Sequence, residues 1–257
     1  MTKNSPPCCL AAFLGLLVLA SSATGQTNQN PLVRVITSGT LSERMRAYES
    51  IRATGETVRD PQVLPALLRE LNRVDALQRS RLEGLSRGET VAPTEELGEY
   101  LFILLDTVCS YNDPRIVKPL LPFLGTGRRV IDSVARFGTS SVQQIADFVD
   151  SDQSDAINLA PALFTLRAIQ RELLVGSAER DVIIRIAGQR LEGQQPAAVI
   201  EQALELAMST GDVRLVGRVK ELAGDGSQMR ALVVGGPDDG SVVGYLQRKA
   251  QSLSVQK

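Results

Sequence analysis

The stretch that most restricts how this chain can fold is 95–124, EELGEYLFILLDTVCSYNDPRIVKPLLPFL. Leu97, Leu101, Leu104, Leu105 and Val108 recur at helical spacing, and Phe102 and Ile103 carry the apolar surface round to the other side. A helix that is apolar almost all round must be covered on more than one face. A tight turn over 110–113 follows. Asp113 and Pro114 then open a second apolar helix through Ile116, Val117, Leu120, Leu121 and Leu124. Two such helices cannot hide all of this surface on each other. They need further helices of the same kind stacked against them.

The opening of that second helix recurs. Residues 60–71, DPQVLPALLREL, and 113–124, DPRIVKPLLPFL, both fit D-P-x-[VI]-[LV]-x-x-L-L-x-x-L without a gap. A weaker copy is 212–223, DVRLVGRVKELA, and 138–149, GTSSVQQIADFV, keeps only the apolar positions. In this motif the Asp carboxylate accepts from free N–H groups of the first turn, and proline sits where no N–H is needed. An apolar helix, a short turn and an Asp-Pro helix start resemble a HEAT-like, armadillo-type repeat. The likeness is strongest over 95–150 and extends over 41–223. It implies an all-α fold, a right-handed α-α superhelix of antiparallel helix pairs whose second helices line a concave side. Pro65 and Pro119 fall inside two of these second helices, and each is expected to bend its helix.

The remaining elements follow from periodicity and caps. Residues 26–40 read as a polar, flexible N-terminal segment. Ser42 is expected to cap a helix with Met45, Tyr48 and Ile51 inward. The charged stretch 72–93 reads either as an inserted loop or, preferred, as a continuation of the second helix to about Leu85. Later helices form around Val130, Ile131 and Val134, then Val142, Ile145 and Val149 with Ser140 or Ser141 as cap. Leu159, Leu163, Leu166 and Ile169 mark the next, with Pro161 near its start. Ser177 caps another, Pro196 begins one, and Gly211 with Asp212 closes one and opens the next. Residues 224–257 are a Gly-rich turn, a short apolar run 229–234 of helix or strand character, and a final helix that closes the open end of the array.

The first 25 residues read separately, as a secretory signal. Lys3 supplies a positive n-region, 10–20 (LAAFLGLLVLA) an apolar run too short to span a bilayer comfortably, and Ser21, Ser22 and Ala23 a small-residue cleavage site. Cleavage is expected after Ala23 or after Gly25. Removal would take Cys8 and Cys9 with it and leave Cys109 alone, so no internal disulfide could form. Export without disulfides suits a secreted or periplasmic protein of a bacterial cell envelope, with no membrane span once the signal is gone.

The composition removes several kinds of chemistry. There is no histidine, so Ser-His-Asp and Cys-His catalysis and the commonest transition-metal ligand are missing. A formal net charge of -1 argues against a nucleic-acid binder. Cys109, at the end of an apolar helix, reads as a small core residue. Asp150, Asp152, Ser154 and Asp155 imitate the start of a calcium loop, but Asp155 stands where glycine is needed and Pro161 where a bidentate Glu is needed. The segment GGPDDGS lacks the lysine of a phosphate loop. Glu95, Glu96 and Glu99 suit a helix N-terminus. No catalytic, cofactor or metal residue is therefore assigned.

What remains is a surface. In HEAT-like arrays the second helices face the concave side. The outward positions there include Gln62, Arg69, Arg115, Lys118, Gln143, Gln144, Arg214 and Arg218, which together would make a mildly basic, amide-bearing groove for an acidic peptide or surface. The expected function is a non-enzymatic scaffold for protein–protein interaction. The alternative, since some HEAT-like families assist cofactor attachment, is an enzyme or accessory subunit with a pocket of Asp, Glu, Arg and Tyr; Tyr100, Tyr111 and Asp106 are its candidates.

Overall fold

A computed structural model describes residues 30–54, 61–88, 95–151, 155–234 and 240–255. The signal segment, Gly55, Asp60, Asp152, Ser154 and 235–239 lie outside them. Among the described residues the fold is all-α. The helices are α1 (Pro31–Ser38), α2 (Leu41–Ala53), α3 (Val63–Ser86), α4 (Glu95–Cys109), α5 (Val117–Leu120), α6 (Arg128–Ala135) and α7 (Thr139–Val149). They continue as α8 (Ala156–Gln170), α9 (Ala178–Arg190), α10 (Ala197–Thr210), α11 (Val213–Gly224), α12 (Gly226–Leu232) and α13 (Gly240–Val255). Short 3₁₀ turns, Pro114–Ile116 and Leu121–Thr126, flank α5. No described helix is long and apolar enough to cross a membrane.

Helices two apart in the chain pack side by side. One row runs α2, α4, α6, α8, α10 and ends on α13; the other runs α1, α3, α5, α7, α9, α11. Chain neighbours such as α3 with α4, α7 with α8 and α9 with α10 join the rows. Leu104, Leu120, Ile145, Leu163, Ile186, Leu204 and Val219 are fully buried in the core. All four copies of the repeated sequence pattern fall on the odd row, at α3, α5, α7 and α11.

Arginines join helices within and between the rows. The last carbonyls of an α-helix have no N–H partner of their own. Arg136, just after α6, donates to Cys109 O at 3.0 Å, at the end of α4. Arg190 of α9 donates to Val149 O at 2.7 Å, at the end of α7. Arg218 of α11 reaches Leu191 O at 3.4 Å, just after α9. Each of these ties a helix to the end of the one two before it. Arg180 of α9 bonds Thr210 O at the end of α10, across the rows.

Local capping matches the sequence at several places. Asp113 accepts from Arg115 N, Ser177 from Arg180 N, and Asp212 from Arg214 N and Leu215 N. Gly211 ends α10 in the left-handed region at φ 67°, a conformation that favours glycine. The preferred reading of 72–93 also holds as far as it is described, since α3 runs 24 residues to Ser86. The run 229–234 is helical to Leu232. Beyond it Val234 N bonds Gln195 O at 3.0 Å, and Gln195 N bonds Leu232 O at 2.7 Å, forming an isolated parallel bridge.

Five local expectations change. The described part of 26–40 is helical: Asn30 caps α1, Pro31 stands at its first position, and Val33 and Ile36 are buried. The cap of α2 is Thr40, not Ser42, in a reciprocal capping box with Glu43. Residue 138, not Ser140 or Ser141, precedes α7, and both serine hydroxyls bond back to carbonyls three residues earlier. Most consequential, 114–126 is not one bent helix. Pro119 and Pro122 remove the N–H groups that would bond Arg115 O and Lys118 O, and Leu121 N bonds Lys118 O three residues back instead. Pro65, in contrast, sits in the first turn of α3, where no intrahelical bond is lost.

Gly125 is required by a close approach. A side chain there would begin 2.5 Å from Ile157 Cγ2 and 2.8 Å from Ile157 O. Pro161, inside α8, is the residue whose missing N–H would otherwise have bonded that carbonyl.

Candidate functional site

The odd row carries a broad groove, of about 900 Å³, between α3, residues 118–122 and α7. Its apolar floor is Pro119, Leu121, Pro122 and Phe148, with Ala76 on the α3 wall. Asn72, Asp75 and Arg79 line the α3 side, and Gln144, Asp147 and Ser151 the α7 side; Lys118 lies between them. The groove exists because 114–126 is broken into short turns. A full helix there would run on where the prolines now turn the chain and expose their rings.

Of the eight residues expected to make one basic surface, the structure brings Lys118 and Gln144 into this groove. Gln143 stands beside it and donates to Asp147 Oδ1 at 2.7 Å. Gln62 precedes α3 and Arg69 is exposed along it; neither lines the groove. The other three are arginines drawn to nearby acceptors. Arg115 folds onto Asp113 at 2.6 Å, and Arg214 onto Asp212 at 3.4 Å. Arg218 meets Glu221 at 3.2 Å and Gln228 Oε1 at 2.5 Å. The hydrogen bond from Arg115 holds the Asp113 carboxyl below its ordinary range. The expected basic strip is thus largely neutralised. In the groove, Arg79 and Lys118 face Asp75 and Asp147, an even balance of charge.

The candidates for the enzyme alternative lie elsewhere and do not converge on the groove. Tyr100 is fully buried and donates to Glu70 Oε1. Tyr48 OH lies 2.8 Å from Tyr100 OH, with the two rings 5.7 Å apart. Arg44 Nη1 reaches Glu70 at 2.8 Å, and Arg73 binds the same carboxylate through Nη2 at 2.6 Å and Nε at 2.8 Å. Burial first, and then hydrogen bonding to Glu70, pushes the Tyr100 phenol up, so it stays a donor. Sequence reasoning singled out Tyr100 but missed Glu70, Arg44 and Arg73. The available signal was Glu70 at the core edge of an otherwise apolar helix face.

Asp106 is also buried. Arg52 reaches it at 3.1 Å and Arg129 at 2.5 Å, so α2, α4 and α6 meet at one carboxylate. Tyr111 is buried just beyond α4. Cys109 is buried, and burial raises its thiol above the ordinary value. Asp150 pairs with Arg185 at 2.9 Å, and Asp155 caps α8. Among the described residues no group of three or more Cys, Asp or Glu side chains is arranged to hold a metal.

Comparison with protein-family models, with curated proteins and with solved structures gives no match for this chain.

Proposed function

We propose that this protein is a non-catalytic helical-repeat scaffold, a right-handed α-α superhelix of HEAT-like type, that holds a segment of another protein. The observation that carries this reading is the groove between α3, residues 118–122 and α7, on the row that bears the repeated sequence pattern. Packing of helices two apart, with arginines reaching back along each row, supports a stacked array. The apolar run 10–20, behind Lys3, supports placing the protein outside the cytoplasm, secreted or in a bacterial envelope. N-terminal sequencing of exported protein should then begin at Thr24 or Gln26.

The binding reading is tested with a photo-crosslinking residue placed singly at Ala76 or Gln144, in the groove, or at Phe102, which is 66% exposed on α4. In cells, the two groove positions should trap the same polypeptide and position 102 should not. An identical pattern from all three positions would count against the groove.

A further inference from the structure

The four charges on the groove are not equivalent. Arg79 binds Asp75 at 2.5 Å, one turn away on α3. Asp147 accepts from Gln143 at 2.7 Å. Lys118 is exposed on α5, and no carboxylate among the described residues lies within ion-pair distance of it. It borders the floor of Pro119, Leu121, Pro122 and Phe148. On the facing wall Gln144 donates its Nε2 to Ser140 O at 3.3 Å, which leaves its carbonyl oxygen able to accept.

The size of the space narrows the occupant. About 900 Å³ is the scale of sites that take a few side chains. We infer that the groove takes a short segment of a partner protein in which an acidic side chain stands next to an apolar one. The carboxylate pairs with Lys118, the apolar side chain lies on the proline and phenylalanine floor, and a backbone N–H meets the Gln144 carbonyl. Asp147 on the opposite rim disfavours a run of acids, so a single carboxylate fits better than an acidic tract. This inference rests on the reading of the groove as the binding face.

The test is a selection of random twelve-residue peptides displayed on phage, panned on the full chain. The enriched peptides are then assayed on Ala76→Trp, which fills the groove from an exposed position and whose melting temperature should match the wild type. Enriched peptides should carry one Asp or Glu beside a Leu, Phe or Pro. Lys118→Glu, an exposed change, should weaken them about ten-fold and should tighten versions in which Lys replaces the acid. Peptides that enrich without an acid, or that bind Lys118→Glu equally well, would overturn the inference and leave the groove a binding site. Enriched peptides that bind Ala76→Trp as tightly as the wild type, or a selection that enriches nothing, would overturn both.

Discussion

Two regions of this fold are held together by different means. Around α2, α3 and α4, buried polar groups find their partners on other helices. Tyr48 of α2 meets Tyr100 of α4, which meets Glu70 of α3, and Arg44 of α2 closes the set. Arg44 also donates to Gly39 O at 3.0 Å, which ties in the end of α1. Around α8 and α10, the buried hydroxyls find acceptors on their own helix. Thr165 bonds Pro161 O at 2.8 Å and Thr210 bonds Ala207 O at 2.7 Å. Between those two helices the contact is extensive and mostly apolar, with Ala162, Leu163, Ala203, Leu204 and Ala207 fully buried and the carboxylate of Glu205 of α10 paired with Arg167 of α8 and Lys249 of α13 at its edge. The first region is specified chiefly by a buried polar set matched across helices, the second chiefly by shape, with its ion pairs at the edge. A polar network is worth little more than an apolar core when complete, but it loses much more when one member is removed.

That contrast gives four measurable consequences. The largest is for Glu70→Ala, which leaves Arg44 and the Tyr100 hydroxyl without their shared acceptor. A loss of about 3–5 kcal/mol in urea denaturation is expected. Hydrogen exchange should place the loosening in α1–α4, with α8–α11 protected as before. Uniform loosening along the chain would show that the regions are not separable. Next, Leu204→Ala should cost about 3 kcal/mol through an unfilled cavity, with the loosening centred on α8 and α10. A Leu204→Ala loss below about 1 kcal/mol would show that the apolar region repacks freely.

Acidification sharpens the comparison. Burial pushes the Glu70 carboxyl up, but its bonds from Arg73, Tyr100 and Arg44 more than offset this, so its pKa lies below the ordinary 4.5. A carboxylate depressed on folding contributes stability that is present above its unfolded pKa and is lost as pH falls through the folded value. Amide protection in α2–α4 should therefore fall between pH 5 and the acid limit of about pH 2 in wild type. It should change much less in Glu70→Gln. Equal acid sensitivity in the two proteins would remove Glu70 from the account. The smallest effect is for Tyr48→Phe, which deletes one neutral hydrogen bond and should cost about 1 kcal/mol, read as a shift in denaturation midpoint.

Much of the local structure was legible before any coordinates. Asp113, Ser177 and Asp212 cap helices because a short polar side chain before an apolar run satisfies the first N–H groups. The extension of α3 and the left-handed end of α10 at Gly211 follow the same local logic. The pattern at 113–124 was legible as apolar, but not as broken. One proline near a helix start is tolerated, as Pro65 shows; Pro119 and Pro122 three residues apart are not, and the spacing was the signal. Helix α1 was passed over because it is only eight residues long and polar residues flank its apolar run on both sides, although Asn30 and Pro31 were the signal for its start.

The candidate site was legible only in part. Lys118 and Gln144 could be assigned to the outer face of second helices from periodicity alone. Their meeting around Pro119, Pro122 and Phe148 could not, because it depends on the break at 114–126 and on α3 reaching past it. The uptake of Arg115 by Asp113, Arg214 by Asp212 and Arg218 by Glu221 was legible but missed, since each carboxylate lies two or three residues away in the chain.

The amino-acid sequence by itself determined that the chain is helical, where most helices begin and end, and which stripe of each turns inward. These depend on groups within a turn or two of each other. Tertiary structure alone decided that Glu70 gathers Arg44 of α2, that Asp106 gathers Arg52 and Arg129 from α2 and α6, and where a groove opens. Those depend on distances between helices far apart in the chain, which no local spacing records.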